Sequence, residues 1–118
     1  MQYMFLIYLD EKSLSEAELA QCYAESAGYA RELHANGKRV LAAPLHPTQT
    51  ATSLRTREGK RVVTDGPFAE TREQLGGLFL VDAKNLDEAI EIAEKIPAGR
   101  WGTIEIRPVL EVPDLPQN

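Results

Sequence analysis

Apolar positions along this chain follow two rhythms, one of period two and one near 3.6, and their order predicts the elements. Tyr3-Met4-Phe5-Leu6-Ile7-Tyr8 is a near-continuous apolar and aromatic run, which suits a strand buried on both faces. Asp10-Glu11-Lys12 is its polar exit. Ser13 and Ser15 stand three residues before Glu16 and Glu18, two overlapping capping boxes that open a helix. Leu19, Cys22, Tyr23, Ser26, Tyr29, Ala30 and Leu33 then recur at helical spacing as its core-facing stripe. Gly28 costs that helix about 1 kcal/mol relative to alanine, so close packing is the expected reason for it. Asn36-Gly37 predicts an αL cap, and residues 39–43 predict a second strand, stopped by Pro44 and Pro47.

Residues 51–57 and 60–64 flank Glu58-Gly59 as a β-hairpin with outward charges. Residues 78–82 read as another buried strand. A helix over 86–95 follows, capped by Asn85 or Asp87, with Ala89, Ile90, Ile92 and Ala93 inward, and Pro97 stops it. Clean alternation over 103–109 marks the last strand. The sum is an α+β fold, a ferredoxin-like βαββαβ unit with an inserted hairpin, over residues 1–112, with a loose tail at 113–118. Two helices on one face of a four-stranded sheet leave the other face bare. Leu6, Tyr8, Phe79, Val81 and Ile104 are expected there, too much apolar area for a monomer.

Composition narrows the function. With 118 residues and 43% hydrophobic content, the chain can bury a core without staples. A net charge of −5 argues against a nucleic-acid footprint, and the cluster Arg55, Arg57, Lys60 and Arg61 reads as the solvated face of the hairpin. Cys22 is the single cysteine, which excludes an intrachain disulfide and a CxxC motif. The start has no basic n-region and no long apolar stretch, so a cytoplasmic protein without a membrane span is expected. No nucleotide motif, hydrolase elbow or HxxxH spacing occurs, so no cofactor and no metal are expected.

The run Thr64-Asp65-Gly66-Pro67-Phe68-Ala69-Glu70-Thr71-Arg72-Glu73-Gln74-Leu75-Gly76-Gly77 is longer than chain reversal requires. Asp65 in a rigid turn is a candidate general base, or an Asx-type anchor of that turn. Phe68 can plug the core or a dimer interface, or offer a ligand platform. Glu70, Arg72, Glu73 and Gln74 fit one and a half turns of helix, where Glu70 and Glu73 share a face or pair with Arg72 or Arg107. His46, between Pro44 and Pro47, is the side chain best suited to move protons near neutral pH. His34 suits the helix C-terminus, and Trp101 can line a pocket or cover a helix end.

This run, together with the first strand and Ile104-Glu105-Ile106-Arg107-Pro108-Val109, resembles the DGPF-domain branch of the YCII-related family of small bacterial proteins. The resemblance implies a homodimer built as a dimeric α+β barrel, and an association with an extracytoplasmic-function sigma factor. It also implies a histidine–aspartate dyad in some members. The stretches matching it here, Ala24-Glu25-Ser26-Ala27 and Lys95-Ile96-Pro97, hold neither residue.

Two functions follow as expectations. One is a dimeric small-molecule-binding or regulatory accessory domain. The other is a cofactor-independent lyase or isomerase acting on a small organic acid. Either would use one pocket lined by Asp65, Glu70 and His46, with Arg107, Arg72, Tyr8 and Phe68 holding the ligand.

Overall fold

The computed structural model describes residues 1–38 and 40–116. In chain order it forms β1 (Gln2–Leu9), α1 (Glu16–Ala35), β2 (Leu41–Pro44), β3 (Thr52–Arg57), β4 (Lys60–Asp65), β5 (Gln74–Asp82), α2 (Leu86–Glu94) and β6 (Gly102–Pro108). Short 3-10 turns occupy Thr48–Thr50 and Pro97–Arg100. Four strands make one antiparallel sheet in the order β2-β5-β1-β6, and β3 pairs only with β4 in a separate two-stranded ribbon. This α+β arrangement is compatible with a ferredoxin-like fold. The expected second strand began at Arg39, which lies outside the described residues, as do positions 117 and 118 of the expected tail.

Both helices lie where local chemistry starts and stops them. Of the two capping boxes only Ser15–Glu18 forms, since the Ser13 hydroxyl donates to Asp10 Oδ2 at 2.8 Å instead. At the far end Gly37 takes φ +77°, with Gly37 N–H bonding His34 O and Lys38 N–H bonding Leu33 O, a Schellman cap. Asn85 caps α2 by accepting from Glu88 N–H at 2.9 Å. Trp101 packs on the core with Arg100 above its ring, and Arg100 pairs with Glu25 of α1.

Burial follows strand parity and corrects two sequence readings. On β1, Tyr3, Phe5, Ile7 and Leu9 are buried beneath the helices, while Met4, Leu6 and Tyr8 point the other way. Phe5 pairs with Phe79, Tyr3 with Val81 and Ile7 with Ile104. Phe79 and Val81 are therefore core residues, and Ile104 packs against that core rather than on the bare face. The open face carries Met4, Leu6, Tyr8, Leu78, Leu80 and Leu41. On α2, Ala89, Ile92 and Ala93 are buried, but Ile90 is exposed. A nine-residue helix can aim only one narrow stripe inward.

The region 66–73 holds no helix, which corrects the expectation for residues 70–74. Gln74 already belongs to β5, and its side chain donates to Thr71 O at 2.7 Å, a turn contact. Ile7 pairs with Gly77 and Tyr8 with Leu75, so Gly76 is the extra residue of a β-bulge. A Cβ on Gly76 would meet Leu9 at 3.3 Å and one on Gly77 would meet Ala43 O at 3.1 Å. The paired glycines thus leave open the helix-side surface of β5 near its start.

Candidate functional site

Small residues face one another across the gap between α1 and the β2–β5 edge of the sheet. Helix α1 offers Ser26, Ala27 and Ala30, and the strands offer Ala42, Gly76 and Gly77. Where these small residues meet, a cavity of about 300 Å³ remains. Ala42 is exposed although its register partner Phe79 is buried, so the helix leaves this edge uncovered. Ile7, Leu9 and Phe79 floor the cavity, and Arg31 is the one charged side chain that lines it.

Two residues that line this cavity carry polar groups without their usual company. The Ser26 hydroxyl oxygen is buried and makes no hydrogen bond of proper geometry with any described residue. A helical serine ordinarily bonds back to the carbonyl four residues earlier. Here its neighbour is the Cys22 thiol, a weak partner, and burial pushes that thiol's pKa up. The second group is Arg31, which forms no ion pair among the described residues.

A second hollow, about 380 Å³, shares Leu9, Tyr23 and Gly76 with the first and runs outward past Leu14, Leu19, Leu45 and Pro47. Burial raises the pKa of the Tyr23 phenol, which stands where the two meet. A third, polar groove of about 660 Å³ shares Glu11, Lys12, Thr48 and Gln49 with the second, and adds Asp10, Gly66, Pro67, Glu70 and Arg72. Here Glu11 accepts from Thr48 N–H and Oγ1, at 3.1 and 2.6 Å. Asp10 lies 3.5 Å from Arg72. The Ser13 hydroxyl, then the Lys12 N–H and Arg72, hold the Asp10 carboxyl below its ordinary value. The surface thus grades from charged to apolar between the groove and the cavity.

The seven residues expected to share one pocket occupy four places. Glu70 and Arg72 line the polar groove. Tyr8 and Arg107 lie on the open sheet face, where Tyr8 Oη donates to Glu105 Oε1 at 3.1 Å and Arg107 approaches Glu105 at 3.7 Å. Asp65 and Phe68 stand near the base of the β3–β4 ribbon, Phe68 with 81% of its surface exposed, so it is not a core plug. His46 lies exposed on the loop after β2. That strand and β6, which holds Arg107, are opposite edges of the sheet, three interstrand steps or about 14 Å apart. The structure does not bring His46 and Arg107 together.

The expected partnerships also change. Arg72 pairs with Asp10 and Arg107 with Glu105, while Glu73 accepts from Thr103 Oγ1 at 2.7 Å. Asp65 makes no side-chain hydrogen bond among the described residues. The turn after it is held by Gly66 N–H to Ala51 O at 2.8 Å and by Ser53 Oγ to Gly66 O at 2.7 Å. Sequence reasoning missed Ser26 and Arg31 as site residues. The available signal was a hydroxyl on an otherwise apolar helical stripe, with alanines around it and a Gly-Gly pair elsewhere. Among the described residues, no three His, Cys, Asp or Glu side chains could hold a metal ion, and no helix is long and apolar enough to cross a membrane.

The YCII-related domain matches residues 1–113 of this chain. An uncharacterized protein of Rhizobium meliloti (strain 1021) is 37% identical over 114 residues, covering 92% of this chain and 92% of that protein.

Proposed function

The chain belongs to the YCII-related family, and on that premise we propose that it is a small-molecule-binding domain whose ligand occupies the cavity between α1 and the β2–β5 edge. One observation carries this reading: an open apolar cavity lined by small residues, with Arg31 as the one charged side chain in its lining and no ion pair for it among the described residues. Cavities of roughly half this volume hold a benzene ring, so one ring or a short branched chain fits. Arg31 at the rim selects a negative charge. The ligand class is therefore a compact, mainly apolar monocarboxylate. Glu70 and Arg72, with Lys12, line the polar groove, which meets this cavity only through the second hollow.

The same reading includes a homodimer. Met4, Leu6, Tyr8, Leu78 and Leu80 form an apolar face with no helix above it, and two such faces can stack about 10 Å apart. Obligate homodimers bury on the order of 2,000 Å² or more, and a monodisperse monomer by light scattering at micromolar concentration would contradict this part.

The ligand is tested by thermal shift with benzoate and hexanoate against benzamide and hexanamide. The acids should raise the melting temperature of the wild type, the amides should not, and Arg31→Gln should abolish the difference. Equal shifts for acids and amides would refute a carboxylate site.

A further inference from the structure

We propose that the β3–β4 ribbon is an intermolecular arm that docks on helix α2 of a second copy of this chain. Eleven of its twelve strand residues are exposed, and its strands pair only with each other. A two-stranded ribbon with no supporting layer is marginal in water, so this one lacks the surface that would steady it. Its turn, Glu58 at φ 53° and Gly59 at φ 73°, is the tight type that keeps the two strands in register.

Charge identifies the occupant. Residues 52–65 hold four of the chain's 13 basic residues and two of its 18 acidic ones, so the arm carries +2 and the remainder −7 of a total of −5. Register sorts these cations by face. Arg55 pairs with Val62 and Arg57 with Lys60, which puts three cations and one apolar side chain on the same side of the ribbon.

Helix α2 presents the complement. Leu86 and Ile90 are 51% and 44% exposed on its outer surface, one helical turn apart. Asp87, Glu91 and Glu94 stand beside them, exposed and without ion pairs among the described residues. The spacings agree. Arg55 and Arg57 repeat every two strand residues, about 6.7 Å, and Asp87 and Glu91 every four helical residues, about 6 Å. Val62 would lie on Leu86 and Ile90 while the cations bridge the acids. This contact uses neither the cavity nor the open sheet face, so it stands or falls apart from both.

Zero-length carbodiimide coupling of an equal mixture of ¹⁴N- and ¹⁵N-labelled full-length protein tests it. Mass spectrometry should find the Lys60 amine joined to Asp87, Glu91 or Glu94, with mixed-isotope pairs among the products. Replacing Arg55 and Arg57 together by Glu should lower that yield about fivefold while circular dichroism keeps the wild-type helix signal. Lys60 joined only within one chain, Lys60 joined only to other carboxylates, no Lys60 product, or an undiminished yield in the folded variant would each overturn the proposal.

Discussion

A Cβ on Gly102 would stand 1.8 Å from the carbonyl oxygen of Tyr8, closer than any pair of non-bonded atoms tolerates. Gly102 opens β6 opposite Leu9, and the end of β1 presses directly on its α-carbon. Gly102→Ala must therefore push β6 away from β1 and should cost at least about 3 kcal/mol. Gly99→Ala is the control, because its nearest new neighbour would be an Ile104 side-chain carbon at 3.7 Å, an ordinary contact. Urea denaturation of both variants checks the contrast.

Gly28 gives the opposite expectation. It was expected to permit close packing, yet a Cβ there would meet only the Arg31 guanidinium at 3.8 Å. With helical backbone and free space, Gly28→Ala should stabilise the protein by up to about 1 kcal/mol, read as a raised denaturation midpoint.

At the start of the long loop, Ser53 rather than Asp65 anchors the turn. Ser53→Ala should cost about 1 kcal/mol, since it removes the bond to Gly66 O. Asp65→Ala should stay within about 0.5 kcal/mol of wild type by the same measurement. A larger loss at Asp65 would show that its carboxylate holds something this geometry does not record.

Acid should weaken the fold through three carboxylates. Asp10 is held below its ordinary 3.8, first by the Ser13 hydroxyl. Glu18 is held below 4.5 first by the Ser15 backbone N–H, and Glu88 below 4.5 first by its bond to the Lys38 ammonium. Folded values below unfolded ones mean that the stabilisation is complete above the unfolded values and disappears as pH falls through the folded ones. The urea midpoint should be nearly flat from about pH 7 to 5 and drop below about 4.5. Glu18→Gln should remove part of that drop.

The order of elements, both helix caps and the hairpin were legible because each rests on contacts a few residues apart. Ser15–Glu18, Asn85–Glu88 and Glu58-Gly59 are local chemistry. Which side of β5 faces the helices was not legible, because a two-sided apolar run such as Leu78-Phe79-Leu80-Val81 carries no parity. Register with Phe5 and Tyr3 decided it. The charged groove was half visible, through Glu70 and Arg72. The cavity was not, because it arises where Ser26 and Ala30 of α1 meet Ala42, Gly76 and Gly77 from distant segments. A void is made of absences, and only the assembled fold aligns them.

The central claim is that the cavity beneath α1 takes a small apolar carboxylate. Its most direct test is an amide chemical-shift titration of the ¹⁵N-labelled protein with benzoate. The account predicts saturable shifts concentrated at Cys22, Ser26, Ala27, Ala30 and Arg31 on the helix and at Gly77 and Phe79 on the strand, weakened in Arg31→Gln, which removes the one charged side chain lining the cavity. Shifts confined to the neighbourhood of Asp10, Glu70 and Arg72, or no saturable shift at all, would contradict it.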